Sequence, residues 1–309
     1  MEKTAYRNNK ELWMQMPIFY QPWYLDIYGE DWELLVFEEQ KDVYWFFPYF
    51  KERKLVVEIV RPPLQTPYFG PYCLSFDTFG PKTMSEDVVQ FFLNRLKETE
   101  YLYFAPFWNI NFEICLSQKF KPIARVTHIL DLSLEEEALL ANMNTMRRRN
   151  IRKAEKELLI RQEIFEIETY FEWMMATYKR QNMEYPYGLN FLKKYIATIL
   201  KNNAAFTFTI FNQEEQPLAM SVVLKDNASA YYIMGANNPD VKHSAAAAAI
   251  MWEGIKAAKK YGCKSFDFEG SSVPEIANFY SKFGARKIEY FGWERTTSLL
   301  WQIKKRILK

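Results

Sequence analysis

Hydrophobic positions in the first third of the chain follow the two-residue period of β-strands. Aromatic and β-branched residues form short runs that polar turns separate, which is typical of half-buried strands. One helix interrupts them over 86–99, where Val88, Phe91 and Phe92 fall on one face. Strands are predicted over 32–38, 42–50, 54–60, 101–105 and 125–130.

From residue 133 onward the period becomes helical, and helices then alternate with strands. Gly262 follows the longest helical run, where a glycine commonly ends a helix. The predicted helices cover 133–157 in two segments, 165–182, 189–202, 244–261 and 274–283, with a basic helix at the end of the chain. The predicted strands cover 205–211, 217–225, 228–235, 264–268 and 285–294.

The order of elements in the second half repeats the order in the first. In each half three strands precede a helix and a short strand, and a Lys-Phe pair (119–120 and 282–283) precedes the last strand. The repetition indicates a diverged internal duplication, the alternative being generic strand–helix alternation. We therefore predict two lobes, residues 1–130 and 131–309. A Pro- and Gly-rich loop over 61–83 is expected to cover the cleft between them.

The composition is that of a globular protein and argues against several classes of function. Of the 309 residues 49% are hydrophobic, and 40 Lys and Arg balance 38 Asp and Glu, so the chain lacks the charge excess of a nucleic-acid coat. Three scattered cysteines without C-x-x-C spacing and two histidines argue against a metal centre. No leader and no bilayer-length apolar run are recognised, which is typical of a cytoplasmic protein.

The most specific landmarks lie between residues 231 and 290. A strand leads through a loop into a long helix, and a second strand leads into Ala-Asn-Phe-Tyr-Ser-Lys-Phe-Gly-Ala at 277–285. This run resembles the last helix of the GNAT superfamily of acyl-CoA N-acyltransferases, A-x-x-(F/L)-Y-x-x-x-G-F. The resemblance covers 200–295. It implies an α/β fold with a mixed α+β sheet, present as two tandem GNAT-like lobes.

In that fold two adjacent parallel strands diverge, and the freed backbone N–H groups can bind an acyl donor or polarise its carbonyl group. The next helix presents its N-terminus to the donor's phosphates, and a Tyr of the last helix can protonate the leaving group. By this resemblance Tyr280 is the general acid. The implied donor-binding residues are Met234, Gly235, Ala236, Ser244, Ala245, Ala246 and Asn278.

A base for the acceptor amine is expected at the end of the second strand, where Asp267 and Glu269 lie. Alternate strand positions point to opposite faces, so only one of the two reaches the cleft. We favour Glu269 as the catalytic base.

The loop before the long helix departs from the GNAT pattern. CoA-binding members carry (Q/R)-x-x-G-x-(G/A) there, because small residues let the backbone approach the pyrophosphate. Residues 236–244 contain no glycine, and Asp240 would repel a pyrophosphate. The departure argues against CoA, although acyl-CoA stays an alternative co-substrate, and no tightly bound cofactor is expected.

Three further runs resemble the Fem-type peptidoglycan-bridge aminoacyltransferases. They are Asp-Leu-Ser at 131–133, Arg-Arg-Arg-Asn-Ile-Arg-Lys-Ala at 147–154, and Phe-Asp-Phe-Glu-Gly at 266–270. Members of that group have two GNAT-like lobes, take the acyl group from aminoacyl-tRNA and lack the pyrophosphate motif. The resemblance therefore implies an aminoacyl donor. That group also carries the element F-K-x-x-F-G, which corresponds to residues 279–284 here. The Lys of this element is replaced by Tyr280, and Lys282 lies two residues further on.

Candidate phosphate ligands lie in the basic helix and in the last GNAT helix: Arg149, Arg152, Lys153 and Lys282. The first three share one helix face, and such a stripe can hold phosphates of tRNA or of a nucleotide-linked acceptor. The alternative is an ordinary solvated face, with Glu155 dispersing the charge. In the first lobe Ser117 stands where the second lobe has Tyr280, the predicted general acid, so we predict that the first lobe has lost catalysis. We interpret His128, in the last strand of that lobe, as a structural residue.

Three functions remain. We favour an N-acyltransferase that passes an acyl or aminoacyl group from acyl-CoA, acyl carrier protein or aminoacyl-tRNA to an amine or a cell-envelope precursor. The second is a non-catalytic GNAT-fold module that binds a nucleotide-linked or cell-envelope precursor. The third is an RNA-binding protein that acts through the helix at 147–156.

Overall fold

The computed structural model describes residues 1–54, 56–75, 82–270 and 274–307, with side chains as far as residue 303. Part of the predicted covering loop, residues 76–81, lies outside the described residues. The chain forms two compact units. Unit 1 comprises Met1–Arg125 and Glu289–Lys309, and unit 2 comprises Val126–Ile288.

Fifteen strands occur in the described residues. They are β1 (Glu33–Gln40), β2 (Val43–Tyr49), β3 (Lys51–Lys54), β4 (Val57–Val60), β5 (Tyr72–Ser75), β6 (Lys82–Thr83), β7 (Tyr101–Phe104), β8 (Ile110–Asn111), β9 (Lys121–Asp131), β10 (Leu159–Arg161), β11 (Ala205–Phe211), β12 (Pro217–Lys225), β13 (Ser229–Asn237), β14 (Ser265–Asp267) and β15 (Arg286–Thr296).

The same part of the chain forms eleven α-helices. They are α1 (Lys3–Asn8), α2 (Lys10–Trp13), α3 (Pro22–Leu25), α4 (Glu86–Arg95), α5 (Glu136–Asn142), α6 (Thr145–Glu157), α7 (Ile167–Arg180), α8 (Leu189–Lys201), α9 (Ala246–Tyr261), α10 (Pro274–Ser281) and α11 (Leu299–Ile307). None of them combines the length and apolar character that crossing a bilayer requires.

Unit 1 is built on two sets of strands around an aromatic core. One is the antiparallel sheet β1-β2-β5, and the other runs in the order β15-β7-β4-β3. Strand β4 pairs in parallel with β7, through Ile59 with Tyr101 and Val60 with Leu102. Strand β15 pairs with the other edge of β7, antiparallel. Buried aromatic side chains, among them Trp45, fill this unit.

Unit 2 contains the strand order β10-β11-β12-β13-β14-β9. All neighbours are antiparallel except β13 and β14, which are parallel. Helix α9 packs on β11, β12 and β13, and buries Trp252 and Ile255 in a core shared with Phe266, Phe268 and Phe283. Gly262 ends α9 in the left-handed conformation with φ 103°, and its N–H donates to the Ala258 and Lys259 carbonyls, which confirms the predicted stop.

The structure differs from the sequence expectation in several places. The segment 61–83, predicted as a loop, contains the strands β5 and β6, because Tyr72–Ser75 pairs with β2 and Lys82–Thr83 pairs with β8. The predicted strand over 54–60 is a hairpin, because the charged segment Lys51–Lys54 turns back and pairs with Val57–Val60. The predicted lobe boundary at 130/131 also does not coincide with the compact units. The strand that closes the first half of the sequence, β9, pairs with β14, and the strand that closes the second half, β15, pairs with β7. Each unit thus contains the closing strand of the other half of the sequence, so no single boundary in the sequence separates the two units.

Candidate active site

Strands β13 and β14 lie side by side only at their first residues. Their parallel pairing joins Ser229 to Ser265 and ends with the pair Tyr231 and Asp267. Strand β14 stops there, whereas β13 continues to Asn237 and in the described residues pairs only with β12. The structure therefore shows the predicted divergence. We call the gap beyond Tyr231 and Asp267 the β13–β14 opening.

Met234, Gly235 and Ala236, the predicted backbone donors, lie on the part of β13 that borders the opening. N–H directions alternate along a strand, so either Gly235 or its two neighbours face the opening, and not all three. A Cβ atom at Gly235 would lie 1.7 Å from the hydroxyl oxygen of Tyr232. Glycine at 235 is thus what allows the Tyr232 side chain to lie against β13.

Tyr280, the predicted acid, lies in α10 within a group of rings at the end of β14. Its ring centroid is 5.5 Å from that of Phe268, 6.3 Å from Tyr232 and 6.2 Å from His128. Burial raises the pKa of the Tyr280 hydroxyl, and the neighbouring Tyr232 and Glu269 raise it further. Tyr280 therefore holds its proton at neutral pH, as a general acid must.

Glu269, the predicted base, has a strained backbone with φ 59°, in the left-handed region. Its N–H donates to the Asp267 carboxylate at 2.7 Å, and that carboxylate also accepts from the hydroxyl of Thr127. Asp267 thus holds the turn, while the Oε1 atom of Glu269 is buried and has no hydrogen-bond partner in the described residues. Burial, and secondly the Asp267 charge, raise the pKa of the Glu269 carboxyl well above its usual range.

Four tyrosines that the sequence analysis did not select form a group that is connected to this carboxyl group through Tyr178: Tyr170, Tyr178, Tyr185 and Tyr232. The rings of Tyr178 and Tyr185 are 5.1 Å apart. Burial raises the pKa of Tyr170, and the other three tyrosines add to the effect, so all four lie close together. The carboxyl group of Glu269 in turn contributes to the raised pKa of Tyr178.

Five buried polar atoms in this region lack a hydrogen-bond partner among the described residues. They are the hydroxyl oxygens of Tyr170, Tyr185 and Ser221, Nδ1 of His128 and Oε1 of Glu269. Ser221 faces Gly235 across the β12–β13 ladder, so it belongs to the same region. Because buried polar groups are almost always hydrogen-bonded, such a concentration indicates a site that receives a polar ligand.

His128 was interpreted as structural, and the structure places it beside the candidate acid. Its carbonyl accepts the N–H of Phe268, which is a structural contact, but its ring faces Tyr280. Burial, and secondly the charge of Lys287, lower the pKa of His128, so the ring is neutral at pH 7. Nothing in the sequence pattern distinguishes His128 or the four tyrosines from residues that only pack in the core.

The start of α9, the predicted phosphate site, is in contact with side chains of α6. Ala245 and Ala246 are buried, and Ser244 is exposed. Lys153 Nζ lies 3.3 Å from the Ser244 hydroxyl, and the Asn150 side chain donates to the Ser244 carbonyl at 3.2 Å. The structure thus brings together Lys153 and Ser244, which the sequence analysis selected separately.

The other candidate phosphate ligands do not gather at this point. Arg149 and Arg152 are exposed on α6. The Lys282 carbonyl accepts from Asn144 at the start of α6, about 13 Å along the helix from Lys153. Asn278 is exposed on α10. Arg149, Arg152 and Lys153 therefore lie together on α6, whereas Lys282 lies apart from them, near the start of that helix.

Sequence reasoning treated Arg147 only as part of a motif, but it is the buried arginine of α6. Its guanidinium carbon lies 3.9 Å from the ring centroid of Phe279 and 5.3 Å from that of Phe283. These cation–π contacts connect α6 to α10 and so help to position Tyr280, the neighbour of Phe279. Within the described residues no group of His, Cys, Asp and Glu is arranged to hold a metal ion.

Comparison with known proteins agrees with this geometry. Residues 144–275 match the family model described as an acetyltransferase (GNAT) domain. That segment contains β13, α9, β14 and Glu269. No curated protein sequence matches the chain.

Solved structures share the whole fold at low sequence identity. FemX superposes with a TM-score of 0.69 at 11% identity, covering 96% of this chain and 98% of that chain. The C-terminal domain of a putative lysylphosphatidylglycerol synthetase from Agrobacterium fabrum gives 0.55 at 10% identity, covering 94% and 92%. L-PGS from Bacillus licheniformis gives 0.52 at 12%, covering 91% and 89%.

Proposed function

Since the chain is an acyltransferase of the GNAT superfamily with a Fem-like two-lobe fold, we propose that unit 2 transfers an aminoacyl group from aminoacyl-tRNA to the amine of a cell-envelope precursor. The reacting groups lie at the β13–β14 opening. The observation that carries the proposal is the set of buried polar atoms near Glu269 that have no partner in the described residues, beside the edge of β13 beyond its last pair with β14.

The proposed reaction is a direct attack without a covalent enzyme intermediate. The acceptor nitrogen, after losing one proton, bonds to the carbonyl carbon of the donor ester, and the resulting oxyanion accepts hydrogen bonds from the β13 backbone near Gly235. Glu269, which is neutral before the donor and acceptor bind, first releases its own proton to water, and the resulting carboxylate takes the second proton from the nitrogen. The ester bond then breaks, and the Tyr280 hydroxyl gives its proton to the leaving ribose oxygen.

The surroundings of the two groups suit these roles. A buried carboxyl with a raised pKa is a stronger base than a solvated one once it has lost its proton. Tyr280 stays protonated, and Asp267 holds Glu269 through its backbone N–H. Asp267 acts through Glu269 and is therefore a positioning residue.

The choice of donor rests on the start of α9. In a CoA enzyme the first turn of this helix is open to the pyrophosphate. Here Asn150 and Lys153 contact Ser244, and the carboxylate of Glu157, which pairs with Lys153 at 3.6 Å, lies 3.0 Å from His243, directly before the helix. A carboxylate at this point opposes a diphosphate, whereas the exposed Arg149 and Arg152 suit the more distant phosphates of an RNA.

Acyl-CoA is the second candidate donor, because the matched domain is described as an acetyltransferase. The two donors are separated by measuring the thermal midpoint of the protein with CoA, with acetyl-CoA and with charged or uncharged tRNA. The proposal expects stabilisation by charged tRNA alone. Stabilisation by CoA and acetyl-CoA, without any by tRNA, would instead identify acyl-CoA as the donor.

Catalysis itself is tested with bulk tRNA charged with labelled amino acids and a pool of nucleotide-linked and lipid-linked envelope precursors. Label should pass to an acceptor in the presence of the wild-type protein and not with Glu269→Gln. Binding of precursors with no transfer from either donor class would favour the non-catalytic module. Salt-sensitive binding of uncharged RNA that Arg149→Ala and Arg152→Ala abolish, again without transfer, would favour the RNA-binding protein.

A further inference from the structure

Helix α11 of unit 1 has one apolar contact with the protein and a separate apolar stripe in solvent. Trp301 packs on β7 and β4, with its ring centroid 5.1 Å from that of Tyr101, beside Val57. Leu299 is 73% exposed, Leu300 58% and Ile303 54%. The inward contact of Trp301 thus accounts for the position of the helix but leaves the three aliphatic side chains uncovered.

The helical period places the exposed residues in one stripe. At about 100° per residue, Leu299, Ile303 and Leu300 fall within an arc about 100° wide, and Trp301 lies on the opposite side.

The positive charge of the segment that contains the stripe indicates an anionic partner. The segment 299–309 contains Lys304, Lys305, Arg306 and Lys309 and no Asp or Glu. An apolar stripe in a segment whose charges are all positive is the pattern of a helix that lies in the interface of an anionic bilayer.

We propose that α11 docks unit 1 on an anionic lipid surface. Leu299, Leu300 and Ile303 enter the boundary between headgroups and acyl chains, and the cations of the segment meet the lipid phosphates. This proposal does not depend on the reaction proposed for unit 2, because none of its residues belongs to that site.

The test is flotation of the full-length protein with vesicles of phosphatidylcholine alone and with vesicles that also contain phosphatidylglycerol. We expect flotation only with the anionic vesicles, weakened by added salt. The double variant L300E/I303E should weaken binding about tenfold or more, because two inserted aliphatic side chains are lost. Leu200→Glu, at a 45% exposed leucine of α8 in unit 2, is the matched control and should float like the wild type.

Circular dichroism and thermal melting establish that both variants are folded. Absence of flotation for the wild type, or equal flotation of L300E/I303E, overturns the proposal. A dimer in analytical ultracentrifugation that L300E/I303E dissociates, together with no vesicle binding, would instead assign the stripe to a second copy of this chain.

Discussion

The two units contain the same parallel strand pair with different ends. In unit 1, β4 pairs with β7 up to its last residue, Val60, and β7 runs two residues further before the next residue, Ala105, pairs with Phe69. In unit 2, β13 continues six residues past its last pair with β14, from Tyr231 to Asn237, and in the described residues no second segment pairs with it in place of β14. The difference teaches that topology alone does not make the candidate site, since the two units share the parallel pair but only β13 keeps a long strand edge beyond it.

The buried tyrosines differ in the same sense. In unit 1 the hydroxyl of Tyr6 donates to Tyr20 O, that of Tyr20 to Gly70 O, and that of Tyr24 to Gln65 O, at 2.7 to 2.9 Å. In unit 2 the hydroxyls of Tyr170 and Tyr185 lack a partner in the described residues. The three bonded hydroxyl groups of unit 1 therefore stabilise the fold, whereas those of Tyr170 and Tyr185 are the candidates for contact with a ligand.

Glu269→Gln should have the largest effect. The amide keeps the volume of the side chain but cannot accept the proton, so kcat should fall on the order of 10²–10⁴-fold in the transfer assay. The fold should persist, because a neutral amide replaces a buried titratable group. A fully active variant would remove Glu269 from the mechanism. The difference between the two units would then have no demonstrated role in catalysis.

Gly235→Ala should reduce activity about 10- to 100-fold. Its Cβ atom would lie 1.7 Å from the Tyr232 hydroxyl oxygen, so Tyr232 must move within the site. The matched control is Gly188→Ala in unit 2, where a Cβ atom would meet nothing within 4 Å and where activity should be unchanged. Equal activity of the two variants would show that the position of Tyr232 does not matter.

The stability of unit 2 should depend on pH through Glu269. Its pKa is raised on folding, so above the ordinary carboxyl pKa the folded state binds more protons than the unfolded state. The free energy of unfolding of the wild type should therefore fall relative to Glu269→Gln as the pH rises from about 4.5, by at most about 1.4 kcal/mol per pH unit. The decline ends at the folded-state pKa. Denaturant unfolding of both proteins over a pH series measures it, and parallel curves would contradict a buried, neutral Glu269.

Removing single hydroxyl groups should give the smallest and most direct test of the comparison. Tyr20→Phe in unit 1 leaves the Gly70 carbonyl without its donor and should cost about 1–2 kcal/mol of the free energy of unfolding. Tyr170→Phe in unit 2 breaks no hydrogen bond of the described residues and should change stability by less than about 0.5 kcal/mol, while weakening ligand binding. The opposite order of stabilities, measured by denaturant unfolding, would reverse the assignment of structural and functional hydroxyls.

Most elements of unit 2 could be predicted because their signals are local. The runs at 205–211 and 217–225 were predicted with the bounds that β11 and β12 have, and Gly262 marked the end of α9. The GNAT and Fem resemblances predicted the fold class and the divergence of β13 from β14. They also selected Tyr280 and Glu269, whose roles stay predictions until the variants are measured.

What the sequence by itself determined is therefore the period of each element, its ends and the family landmarks, because these depend on residues close together in the chain. Only the tertiary structure decided three features. They are the exchange of β9 and β15, the grouping of the four tyrosines near Glu269, and the contacts of α6 with the start of α9. These features join residues far apart in sequence. A buried tyrosine whose hydroxyl is hydrogen-bonded and one whose hydroxyl has no partner in the described residues look identical in sequence, since only the packing around them differs.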